Sequence, residues 1–76
     1  MTAREMFKKL GYKKRTFGDC IVYEKGDYIR LKVIEFHLRT EIVHSYIESV
    51  AGNTIKNLDV DELKAINKQC EELNWL

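Results

Sequence analysis

No proline occurs anywhere in the chain, and no stretch is low in complexity or internally repeated. Proline-rich spacers and solenoid arrays are excluded by that alone. Long hydrophobic runs are missing too: the longest, "CIVY" at Cys20–Tyr23, is four residues. A bilayer-spanning helix needs about twenty apolar residues and a signal-peptide core at least about seven, so neither is expected. Only two cysteines are present, Cys20 and Cys70, too few and too far apart for a zinc knuckle or a redox pair. Both stand at apolar positions and read as reduced thiols in or near a core. The compartment expected from these absences is the cytoplasm.

Strong charge of one sign is also lacking, since the net charge is +1. Nucleic-acid domains usually show clear net basicity, and this chain does not. The near-neutrality hides an asymmetry. Through Phe17 the chain carries six basic residues against Glu5, a net of +5, and the remainder carries seven basic against eleven acidic, a net of −4. Such polarity steers a partner or is neutralised internally.

What is present is the composition of one ordinary globular domain spanning residues 1–76, with 45% hydrophobic and 33% charged residues. A domain of this size buries only about 60–65% of its unfolded surface, so its stability margin is thin. Thr2 followed by Glu5 predicts a capping box that opens a helix. Ala3, Met6, Phe7 and Leu10 supply its apolar stripe, and Gly11 stops it in the left-handed conformation. Tyr12 is then placed to fold back on Phe7. The last helix repeats the pattern. Asp59 caps it, Asp61 and Glu62 load its first turn with negative charge, and Leu63, Ile66, Cys70 and Leu73, with Ala65 beside them, form the stripe. Asn74 stands where Gly11 stands, and Trp75, where Tyr12 stands, can cover Cys70.

Between the helices the sequence reads as β structure. "DCIVYEK" and "YIRLKVIEFHL" flank a Gly26-Asp27 hairpin turn, Arg39-Thr40 turns that strand into "EIVHSYIES", and Thr54–Lys56 adds a short fourth strand after an Ala51–Asn53 turn. The expected fold is α+β in the order α-β-β-β-(β)-α, a three- or four-stranded antiparallel sheet with the N- and C-terminal helices on one face. The long middle strand breaks its alternation: Ile29, Leu31 and Val33 share one parity, Ile34, Phe36 and Leu38 the other. Either a bulge near Val33-Ile34 brings both sets to the core, or both sheet faces are partly apolar and another chain covers one.

Two groups of residues carry candidate chemistry. The segment "MFKKLGYKKR" holds five of the thirteen cations. Lys8 and Lys9 complement the negative end of the first helix. Lys13, Lys14 and Arg15 lie past its end, where they are solvated, paired internally, or bind a partner. If the helices lay side by side and parallel, Glu71 and Glu72 would come near Lys8 and Lys9, and the acidic and basic helix ends would offset each other. Phosphate binding, with Tyr12 and Phe17 stacking on bases, is the nucleic-acid alternative for Lys8–Arg15. The element order is also that of double-stranded-RNA-binding domains, but those use a basic start to the second helix, and "LDVDELK" would repel phosphate.

The second group lies on the middle strands. With Arg39-Thr40 as a two-residue turn, Glu35 faces His44 and His37 faces Ile42, and all four project from one sheet face with Tyr46 further along. Two imidazoles and a carboxylate can bind a metal or move a proton, and they can equally form an ordinary solvated cross-strand pair. No third strong ligand stands at metal spacing and no nucleophile is nearby. No cofactor, metal or catalytic residue is assigned.

The ends "TAREMFKKLGY" and "LDVDELKAINKQCEELNWL" resemble a family of small, uncharacterised proteins encoded in phages and prophages of low-GC Gram-positive bacteria. Its pattern is roughly A-R-E-M-F-x-x-L-G-Y, a variable β region, then E-L-x-A-I and a terminal E-L-G-W. The match covers about thirty residues, and Asn74 replaces the family's glycine. The resemblance implies a phage accessory protein in a bacterial cytoplasm. By elimination the expected function is a non-enzymatic module that contacts a host or phage protein, or a second copy of itself. The surfaces are Lys13, Lys14 and Arg15, and the sheet residues Glu35, His37, Arg39, His44 and Tyr46. No membrane contact is expected.

Overall fold

The computed structural model describes residues 1–76. Helix α1 (Ala3–Lys9) begins with the expected capping box: the Thr2 hydroxyl accepts from the Glu5 amide and the Glu5 carboxylate accepts from the Thr2 amide. It ends in a Schellman motif. Gly11, at φ 93°, directs its amide to the Lys8 carbonyl, and the Tyr12 amide reaches the Phe7 carbonyl at 3.0 Å. Helix α2 (Val60–Glu72) has the same construction, capped by Asp59 and Glu62 and closed by Asn74→Glu71 and Trp75→Cys70 amide–carbonyl bonds. Asn74 holds φ 61° there, a conformation that glycine adopts without steric cost. Asn74→Gly should therefore raise stability by about 0.5–1 kcal/mol and Asn74→Ala lower it by a similar amount. A urea midpoint that shifts at constant m-value measures this; equal midpoints for Gly and Ala would refute the left-handed ending.

Five strands lie between the helices: β1 (Lys13–Phe17), β2 (Cys20–Gly26), β3 (Arg30–His37), β4 (Ile42–Ser49) and β5 (Gly52–Ile55). They form one antiparallel meander in the order β1-β2-β3-β4-β5. The expected α+β class and helix arrangement hold, with one strand more than expected. The addition is β1: "KKRTF" is an edge strand joined to β2 by the Gly18-Asp19 turn. All five of its residues are exposed, so it lacks the apolar alternation that marks a half-buried strand. The last strand starts two residues earlier than expected, after a Val50-Ala51 turn.

The middle strand carries no bulge. Its pairing with β4 runs unbroken from Arg30↔Ser49 to His37↔Ile42. The alternation conflict persists within the strand, with Leu31 and Val33 on the open face and Ile34 and Phe36 on the helix face, while the ends of the apolar run fall outside it. Ile29 lies in the β2–β3 turn, where the Asp27 carboxylate accepts from the Ile29 and Arg30 amides, and Leu38 lies in the β3–β4 turn. Both sheet faces are then partly apolar. Ile21, Tyr23, Ile34 and Phe36 meet Phe7, Tyr12 and Ala65 under the helices. Val22 and Val33, each 2% exposed, belong to the opposite face.

The helices run antiparallel. Glu72, at the end of α2, accepts from the Ala3 amide at the start of α1, and Tyr12, just past α1, donates to Glu62 at the start of α2. This corrects the parallel arrangement that would have brought Glu71 and Glu72 to Lys8 and Lys9. The buried line of α2 also differs from the apolar stripe. Leu63 is 50% exposed, while Glu62, Ala65 and Gln69 face inward.

Candidate functional site

Strand alternation divides the basic segment. Lys14 pairs with core-facing Tyr23, so it stands on the helix side of the sheet, whereas Lys13 and Arg15 pair with Glu24 and Val22 and stand on the open side. At the sheet edge all three nevertheless line one concavity, together with Glu24 and Lys25. Arg15 bonds Glu24 at 3.0 Å and its guanidinium lies 5.6 Å from the Phe17 ring centre. The edge strand gives these cations a structural reason, because lysines on an edge discourage pairing with another sheet. Where α1 meets the sheet edge, Arg4, Lys8, Lys13 and Lys14 line a shallow cleft with Tyr12, and Glu5 is its one acid. Tyr12 is 3% exposed and unavailable for base stacking; Phe17, 53% exposed, remains.

The open face brings Glu35, His37, His44 and Tyr46 together. The expected register holds, Glu35 opposite His44 and His37 opposite Ile42, although the connection is a four-residue turn, Leu38–Glu41, with Glu41 at φ 55°. His37 Nε2 lies 3.2 Å from Glu35 Oε1, and the Tyr46 hydroxyl donates to Glu35 Oε2 at 2.7 Å. Burial, with Glu35 as hydrogen-bond acceptor and neighbouring charge, pushes the Tyr46 hydroxyl well above the usual tyrosine range. The two imidazoles stand 5.0 Å apart in an edge-to-face arrangement. Arg39 does not join them. It sits in the turn and reaches Asp19 at 3.7 Å, both side chains largely exposed.

Two features were not foreseen. Cys20 pairs with His37 across β2–β3, its Sγ 3.5 Å from His37 Nδ1. The β2–β3 turn sets this register, and it is longer than the two-residue Gly26-Asp27 turn expected, since Gly26 pairs with Leu31. Under α2, Lys56 Nζ lies 2.7 Å from Glu62 Oε1 and 2.6 Å from Oε2 and donates to the Asn57 carbonyl at 2.8 Å, while Tyr12 donates to Glu62 Oε2. Burial alone would raise the Glu62 carboxyl, but bonds from Lys56, Tyr12 and the Asp59 amide hold it below the usual range. Burial also pushes the half-buried Cys70 thiol up, consistent with an unreactive core-side thiol.

Compared with protein-family models, with curated proteins and with solved structures, the chain matches none. No helix is long and apolar enough to cross a membrane.

Proposed function

We propose that this chain is a small non-enzymatic binding module, a phage-type accessory protein of the bacterial cytoplasm that contacts a host or phage protein through the open sheet face. The observation that carries this reading is that both helices cover the same side of the sheet. The opposite side presents Phe17 on β1 beside the cations, and Ile42 on β4 and Ile55 on β5 beside the Glu35–His37–His44–Tyr46 group, at 53%, 46% and 88% exposure. A partner that fits offers carboxylates to Lys13 and Arg15 and an apolar side chain to Phe17. The resemblance of the two chain ends to phage and prophage proteins supports the setting.

The experiment is sedimentation of the pure chain followed by affinity capture with wild type, Lys13→Glu/Arg15→Glu and Phe17→Ser/Ile42→Ser. A partner held by wild type and lost from both folded variants is the expected result. Capture unchanged by either variant overturns the reading. A dimer dissolved by the same substitutions would assign the face to a second copy. One observation favours nucleic acid as a second reading: Arg4, Lys8, Lys13 and Lys14 gather in one cleft. It predicts salt-sensitive retention on short oligonucleotides, and no retention at low salt removes it.

A further inference from the structure

The geometry points to a zinc site on the open sheet face, which we propose is held by Glu35, His37 and His44. Two imidazoles and a carboxylate are the donors zinc prefers where a coordination position is left for water. Here their ligating atoms all lie within 4.8 Å of one another. Around a tetrahedral zinc, with ligand distances of about 2.0–2.1 Å, neighbouring donors stand about 3.3 Å apart. His37 Nε2 and Glu35 Oε1 already have that separation, at 3.2 Å. His44 is exposed and stands directly opposite Glu35, so side-chain rotation alone closes the remaining distance. The backbone beneath is the longest ladder in the sheet, a rigid support for a site.

The groups around the three donors are placed as an orienting shell. Tyr46 donates to Glu35 Oε2, which leaves Oε1 turned toward His37 and the metal. With His37 Nε2 on the metal, Nδ1 carries the proton and directs it at the Cys20 sulfur 3.5 Å away. Each contact fixes the orientation of one ligand, and such partners typically change metal affinity by about 10–100-fold. An ordinary cross-strand His–Glu pair needs neither the second imidazole nor these outer contacts. Cys20 approaches the nitrogen that faces away from the metal, so it is a positioning residue and not a ligand. The fourth position opens to solvent.

The test uses the tag-free chain, stripped with chelator and kept reduced, with zinc titrated by calorimetry and cobalt(II) by visible absorption. The expected result is one ion per chain, a raised thermal midpoint with zinc, and a cobalt spectrum without a sulfur-to-metal band. His37→Ala and His44→Ala each lose at least about tenfold in affinity, and Tyr46→Phe about tenfold. Circular dichroism of the metal-free variants shows the fold intact. Cys20→Ser keeps the stoichiometry. Binding that is absent, or that persists undiminished in His37→Ala/His44→Ala, overturns the site; a sulfur-to-cobalt band lost in Cys20→Ser overturns the ligand set. Because the isolated chain is measured without any partner, failure here is separate from failure of the partner reading.

Discussion

Replacing Lys56 with methionine is expected to destabilise the fold by about 3–5 kcal/mol, because it leaves the Glu62 carboxylate buried without its counter-ion. Both side chains are enclosed, Glu62 at 6% exposure and Lys56 at 8%. The whole stability of a 76-residue domain is roughly 4–11 kcal/mol, so the loss is a large share of it. Lys56→Met/Glu62→Gln should recover much of the deficit, since glutamine still accepts from Tyr12 and carries no charge. The pH dependence has a defined sign. Glu62 titrates lower in the folded chain than its ordinary 4.5, so its contribution is fully present above that value and is lost as pH falls through the folded pKa. In Lys56→Met burial dominates, the carboxyl rises, and acidification should stabilise the variant at this group. Urea melts between pH 3 and 7 read both effects; a single variant as stable as wild type would mean the pair contributes nothing.

Phe7→Ala should cost about 3–5 kcal/mol, the range for removing a buried phenylalanine. Its ring is fully enclosed, stacked on Tyr23 at 3.9 Å and edge-on to Tyr12 at 5.6 Å and Phe36 at 6.2 Å. Both helices and the two central strands meet at this ring. Phe7→Leu keeps most of the volume and loses mainly the aromatic pairs, about 0.5–1.5 kcal/mol each. The tyrosines beside it give a second measurement. Burial pushes Tyr23 up to about 12 and, with Glu62 beside it, holds Tyr12 higher still. A raised folded value means stability is intact below the ordinary 10 and falls above it, by about 1.4 kcal/mol per pH unit for each tyrosine. Stability that stays level from pH 9.5 to 11.5 would show that neither ring is enclosed as described.

The helix ends were legible because they are written locally. Thr2 with Glu5, Asp59 with Glu62, Gly11 with Tyr12 and Asn74 with Trp75 each act within a few residues, and every one of those contacts is made. The register of Glu35 against His44 was legible for the same reason, since alternation and one short turn fix it. Most of the misreadings concern partners remote in sequence, and the others are turn lengths. β1 carries no burial pattern, so only its pairing with β2 reveals it. Glu62 and Gln69 look solvent-facing on a helical wheel, and their inward direction follows from Lys56, Tyr12 and Tyr23, which satisfy them from other elements. Arg39 was assigned to the face but lies in a turn that proved two residues longer.

The sequence by itself determined the α+β class, where both helices begin and end, and the alignment of the two histidines with Glu35, because caps, short turns and alternation are short-range physics. Only the tertiary structure decided that the helices oppose one another, that the basic run is a sheet edge with its cations split between two faces, and that Cys20 and Tyr46 flank the histidine group. Those outcomes depend on which distant side chains can share a buried space or a hydrogen bond, and no local pattern records that.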